Sequence, residues 1–384
     1  MNKLSVSNTN IKLFGRGVPV LIVASVIGGT VGVALACLMM WLSHRSYAVD
    51  SADKHGISVK QASRLGGVAI AFGILAYLIM ARQLGLQTPD ASQGALQWFR
   101  GYEGLALGIA MVGLAEDILQ KISPLWRLGV PMAATGAWLW FAPQILPSNM
   151  EFWGFADLLN HPLVMGLAVT VLVVGFVNAG NIADGANGLL SSIALCALWI
   201  VYLEFSTLIL FAALMSCAVF FLYNILTGSI FLGDFGSYGL SAFVALSLLD
   251  LFVNGDASMW FCAALVSYPC IEMIRSMYYR HSHKIAMMSA DNSHLHNKLY
   301  QTFKNSGYSS LVSNSITGLI LGAFPSGLVA VFFVLGLIPS QSSLWFFVFL
   351  GLVVIYLLGD QLLGQRLRQF ENGQAGSPKP STSV

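Results

Sequence analysis

The sequence predicts an all-α polytopic membrane protein with about eleven transmembrane helices, N-terminus out and C-terminus in, and its chemistry in cytoplasmic loops. Three observations predict this. The chain is 56% hydrophobic and 9% charged, against about 25% charged in soluble domains. Its apolar runs reach the ~20 residues that a bilayer core requires. Its polar and basic residues fall on one side of those runs.

The apolar segments lie near 17–41, 66–84, 101–116, 128–146, 162–180, 188–204, 206–226, 237–254, 257–276, 311–338 and 343–363. Helices must dominate, because lipid offers no partner to unpaired backbone groups. The stretch 188–226 is almost continuous, with Glu204 the charge near its middle. With the N-terminus outside, fourteen of the nineteen Lys and Arg residues fall on inner segments, as do His44, His55, His281, His283, His294 and His296. The positive-inside rule therefore sets the orientation. The basic N-terminal stretch runs against it. The five cysteines all sit in apolar stretches and form no CxxC pair, which excludes a zinc or disulfide framework. The first apolar run is expected to be a retained helix, since no small-residue cleavage site follows it. Residues 1–365 are expected to be one integral membrane domain and 366–384 a disordered tail. A net charge of +2 gives no reason to expect a nucleic-acid partner.

Five inner-side segments carry polar groups in patterns that suit chemistry. In 178–189, Asn178, Asn181 and Asp184 recur every third residue, ahead of Gly185, Asn187 and Gly188. On a helix this spacing makes one stripe, with amides that donate and accept and a carboxylate that accepts. A helix C-cap would account for one Asn and one Gly, but not for the stripe. In 231–237, Asp234 stands between Gly233 and Gly236 ahead of Ser237. One carboxylate on a glycine-rich turn suits Mg²⁺, which prefers carboxylates plus substrate phosphate; Asp234 or Ser237 as a helix N-cap is the plainer alternative. Glu116 and Asp117 follow the third span, as a base or metal pair or as a solvated helix end. In the loop 277–310, Asp291, His294, His296 and Lys298 are suited to an anion. An HxH pair also binds zinc, though no Cys lies near, and a merely hydrated basic loop fits too. In the first inner loop, Lys54, His55 and Arg64 precede Gly66-Gly67, suited to phosphate or simply to anchoring at the headgroups. Their shared side is the stronger signal.

Taken in order, these motifs resemble the polyprenyl-phosphate N-acetylhexosamine-1-phosphate transferases of glycosyltransferase family 4, in the branch that starts O-antigen and common-antigen synthesis. The likeness spans roughly residues 50–300. Residues 178–189 are similar to the family's N-x-x-N-x-x-D-G-x-D-G-L, residues 231–237 to F-x-G-D-x-G-S, and residues 290–299 to D-x-x-H-x-H-H. The peptidoglycan branch carries a different histidine loop. Glu116, Asn187 and Asn297 stand where the pattern has Asp, Asp and His, and Ala62-Ser63 stands where a proline is common.

The resemblance implies transfer of a sugar-1-phosphate, with GlcNAc as the default sugar, from a UDP-sugar to undecaprenyl phosphate, releasing UMP. It assigns catalysis to Glu116, Asp117 and Asp234. Asp234 and Asp117 would hold Mg²⁺, for which Mn²⁺ can substitute. Substrate binding would fall to Asn178, Asn181, Asp184, Asn187, Lys54, His55, Arg64, Asp291, His294 and His296. The implied setting is a bacterial inner membrane with the site facing the cytoplasm, membrane lipid around it, and a homodimer within the family's range. A transporter is the competing class. It would need ionisable groups near mid-membrane, and Glu204 and Asp250 come nearest.

Overall fold

The computed structural model describes residues 30–32, 34–35, 37–41, 63–83, 101–120, 122–148, 150, 161–285 and 293–375. The described residues are helical throughout, with one isolated parallel bridge between Ser63 and Ile230. The helices are α1 (Gly66–Gln83), α2 (Tyr102–Leu119), α3 (Pro124–Phe141), α4 (Pro162–Ala183), α5 (Leu189–Phe205), α6 (Leu208–Thr227), α7 (Gly233–Asn254), α8 (Met259–Leu265), α9 (Ser267–Ser282), α10 (Leu295–Asn305), α11 (Ser310–Gly318), α12 (Phe324–Val334) and α13 (Leu344–Ala375). A shorter apolar helix, Thr30–Trp41, precedes them.

Six helical stretches are long and apolar enough to cross a membrane: α1, α4, α6, α7, Ser310–Val334 and α13. The protein is thus an all-helical, multi-pass membrane protein. Helix ends follow local chemistry. Pro124 and Pro162 open α3 and α4, where a missing N–H costs nothing. Thr207 and Ser258 cap α6 and α8 by accepting from Leu210 N and Phe261 N. Gly228, at φ 59°, closes α6 in the left-handed region.

Two segments differ from expectation. The span expected at 257–276 is two helices, broken at Val266–Ser267. Pro269 is the cause: it has no N–H for the carbonyl of Leu265 four residues back, so the α8 pattern cannot run through it. The last helix continues to Ala375, beyond the domain end expected at 365. Between α11 and α12 the chain makes a π turn, Leu319–Ala323, and Pro325, two residues beyond it, is a residue that disturbs a regular ladder.

The core centres on α7, which packs most closely on α2 and α4 and also meets α1 and α5. Small residues allow that closeness. A Cβ on Gly67 would strike the backbone of Gly236, and one on Gly113 would strike the carbonyl of Asp234. These approaches fix the start of α7 against the start of α1 and the end of α2.

Candidate active site

The junction is built from three chain segments. Residues 229–232 pair with the segment ahead of α1: Phe231 N donates to Ser63 O (2.7 Å), and Gly66 N and Gly67 N donate to Phe231 O (2.8 Å) and Leu232 O (2.9 Å). Gly233, at φ 70°, then turns the chain beside the carbonyl of Arg64. At that turn Asp117 Oδ1 accepts from Asp234 N (3.1 Å) and Oδ2 from Phe235 N (2.8 Å). The carboxylate of α2 therefore caps α7 from another helix, where negative charge is favoured.

The end of α4 joins the same place. Ser237 Oγ donates to Asn181 Oδ1 (2.8 Å). Asp184, one turn on, lies within electrostatic reach of Asp234, Asp117 and Arg64. Burial first, then the two neighbouring carboxylates, push its pKa well above the usual range, with Arg64 opposing. Burial also raises Asp117, offset by the N–H groups of Phe235 and Asp234 and by Arg64. Among the described residues, no hydrogen bond reaches the side-chain oxygens of Asp184 or Asp234.

The histidine segment closes the site. His294 and His296 stack, with ring centroids 5.2 Å apart and planes at 13°. The His296 ring lies against Gly185 so closely that a Cβ there would overlap Nε2. Asp117, Asp184, Asp234, Arg64, Asn181, His294 and His296 thus meet at one locus.

Other expected residues take different places. Asn178 donates back to Val174 O on its own helix (2.8 Å). Asn187 is buried, its N–H donating to Asn314 Oδ1 (2.9 Å) and its Nδ2 to Ser315 Oγ (3.4 Å). Glu116 accepts from Ile122 N (3.0 Å) and lies 3.7 Å from Arg127, closing the turn between α2 and α3. Lys54, His55 and Asp291 lie outside the described residues.

Sequence reasoning passed over several supports. Asn224 accepts from Gly188 N (2.6 Å) and donates to Ile230 O (2.7 Å), stapling the two motif loops together. Glu272 is fully buried behind the histidines. The available signal was the residue type itself: an amide and an acid inside apolar runs.

An apolar groove of about 410 Å³ starts at this junction. It runs between α1, α2 and α7, lined by Gly67, Ala71, Phe72, Leu107, Met111 and Phe243 among others. Its near end is Gly67 and Gly236. Because Gly113 touches Asp234 and Ala110 faces Gly239, α2 runs antiparallel to α7, so Glu103 marks the far end.

A model of the family described as "Glycosyl transferase family 4" matches residues 100–252. That range takes in Glu116–Asp117 and both glycine-rich motifs. The match supports glycosyl transferase family 4 as the family of this chain. Its similarity to individual members agrees. It is 26% identical to the "Probable undecaprenyl-phosphate N-acetylglucosaminyl 1-phosphate transferase" of Bacillus subtilis, over 81% of this chain and 81% of that protein. It is 26% identical to the "Undecaprenyl-phosphate alpha-N-acetylglucosaminyl 1-phosphate transferase" of Thermotoga maritima, over 66% of this chain and 74% of that one. A "Phospho-N-acetylmuramoyl-pentapeptide-transferase" of Deinococcus radiodurans is 32% identical over 36% of this chain and 47% of its own. The matched range ends at 252, so the histidine pair joins the site from beyond it.

Proposed function

We propose that the protein transfers a sugar-1-phosphate, GlcNAc-1-phosphate by default, from a UDP-sugar to undecaprenyl phosphate, releasing UMP and starting a lipid-linked surface glycan of the O-antigen type. The observation that carries it is the meeting of Asp117, Asp184 and Asp234 with the His294–His296 pair at the mouth of an apolar groove. Such a locus can receive a charged pyrophosphate and a prenyl chain together. The names of the Bacillus subtilis and Thermotoga maritima relatives support the lipid acceptor and the phosphosugar.

A divalent cation fits this donor set. Among the described residues no three His, Cys, Asp or Glu side chains form a cage of their own. Mg²⁺ does not require one, since it binds through one or two carboxylates plus substrate phosphate. Asp184 and Asp234, whose side-chain oxygens meet no donor among the described residues, would hold it; Asp117 would hold the turn at Asp234 in place. When bound, the cation neutralises charge on the pyrophosphate. The chain's own work is positioning. Asn181 and Ser237 order the approach to the turn, Arg64 adds positive charge, and the histidines meet the phosphates. The groove would take the prenyl chain, with its phosphate at the Gly67–Gly236 end facing the β-phosphate of the donor. Eleven crossings, N-out and C-in, would set this mouth on the cytoplasmic face of a bacterial inner membrane.

The test is UMP release by the purified protein with UDP-GlcNAc, undecaprenyl phosphate and Mg²⁺. Release should stop with EDTA and return with excess Mg²⁺ or Mn²⁺. A folded protein that yields no UMP with any UDP-N-acetylhexosamine sinks the proposal. Ala71→Trp, which fills the groove, is expected to raise the KM for undecaprenyl phosphate about tenfold while sparing the KM for the nucleotide, given the ~0.8 kcal/mol of burial per CH₂ displaced. An unchanged acceptor KM would remove the groove from the mechanism.

A further inference from the structure

Behind the histidines lies a carboxylate that no motif contains. Glu272 of α9 has no exposed surface, yet four donors converge on it. His294 Nδ1 reaches Oε1 (3.0 Å). Tyr356 OH (2.8 Å), Tyr268 OH (3.1 Å) and Leu295 N (3.1 Å) all reach Oε2. The donors come from α9, α10 with its leading residue, and α13. Both oxygens are thereby hydrogen-bonded, Oε2 by three donors and Oε1 by one, as a buried charge requires.

The pattern fixes where the protons are. An ionised carboxylate only accepts, so the Nδ1 of His294 carries hydrogen. Tyr268 OH also lies 2.9 Å from His296 Nδ1. Its single proton goes to Glu272; otherwise two acceptors would face each other at 3.1 Å in a buried site. The phenol oxygen must then accept, and Nδ1 of His296 carries hydrogen as well. One carboxylate sets the same tautomer on both stacked rings, directly on one and through a phenol on the other. Nε2 of each is left on the ring edge away from Glu272, and that of His296 points at Gly185, beside Asp184. A second grip holds the same element: Asp360 accepts from Arg275 (3.2 Å) and Lys298 (2.6 Å), tying α13 to α9 and α10.

We infer that Glu272 is a positioning residue that pins Nδ1–H on His294 and His296, so that each ring can exchange a proton only at Nε2, the atom facing the phosphates. Its consequence for turnover rests on the proposed transferase reading; the tautomers do not. Without Glu272 the rings can rotate or reverse their hydrogen, and the phosphates lose two aligned groups. Removing such an orienting partner typically costs 10–100-fold.

The experiment uses the full-length chain with ¹⁵N-labelled histidine, the two signals being assigned through His294→Asn and His296→Asn. The wild type is expected to show Nδ1–H on both rings. Glu272→Gln, nearly the same shape, is expected to lose that state on His294 and to lower kcat roughly 100-fold with the KM for undecaprenyl phosphate unchanged. Tyr268→Phe is expected to release His296 alone, which keeps a second readout if Glu272→Gln does not fold. An Nε2–H tautomer on either wild-type ring, or a folded Glu272→Gln protein with wild-type kcat, overturns the inference. Absent UMP release by the wild type would refute the transferase reading, while the ring spectra would still decide on Glu272.

Discussion

Asp234→Ala is expected to lower kcat by roughly 10³-fold or more while the protein keeps its fold. A cation that neutralises a transferring phosphoryl group is worth several kcal/mol, and each 1.4 kcal/mol is a decade in rate. The fold should tolerate the change, because within the described residues the side-chain oxygens of Asp234 bond to nothing. What anchors the turn is its backbone: the N–H goes to Asp117 and the carbonyl lies on Gly113. The check is UMP release over a Mg²⁺ titration, together with a melting curve. Unchanged turnover at low Mg²⁺ would remove Asp234 from the site.

Asp117→Asn is expected to damage both turnover and stability. The native carboxylate accepts one N–H on each oxygen. An amide has one accepting atom, so its NH₂ must face the N–H of either Asp234 or Phe235. A buried donor left unmet costs about 1–3 kcal/mol. The turn would open, and a displacement of ~1 Å at Asp234 costs on the order of 100-fold in rate. The two substitutions are thus separable: Asp234→Ala spares Tm, whereas Asp117→Asn lowers it. An Asp117→Asn protein that melts and turns over like the wild type would show that the cap does not hold the turn.

The sequence displayed the groups proposed to meet substrate because they interrupt apolar runs at helix ends. Asp184 and Asp234 could be seen that way, with glycines beside them. The residues that hold them in place could not. Asn224 and Glu272 each lie within an apolar stretch as a single polar residue, and their partners, Gly188 and His294, are 36 and 22 residues away. No local pattern encodes a pairing of that range. Asn187 misled for a related reason: its motif position suggested a ligand, but packing turned its side-chain amide to Ser315. The break at Val266–Ser267 was legible in principle, since Pro269 stands inside the run; hydropathy outweighed it.

Tyr356 and Asp360 belong to α13, which follows α9 and α10 in the chain. Until it docks, Glu272 lacks one of its four donors, and Arg275 and Lys298 lack their shared anion. Asp117, Asp184 and Asp234 all lie ahead of α13 in the chain, whereas the histidines are fully held only once it has docked. Assembly order is thereby written into the chain: the acidic turn can form first, and the histidines beside it are secured by the helix that follows them.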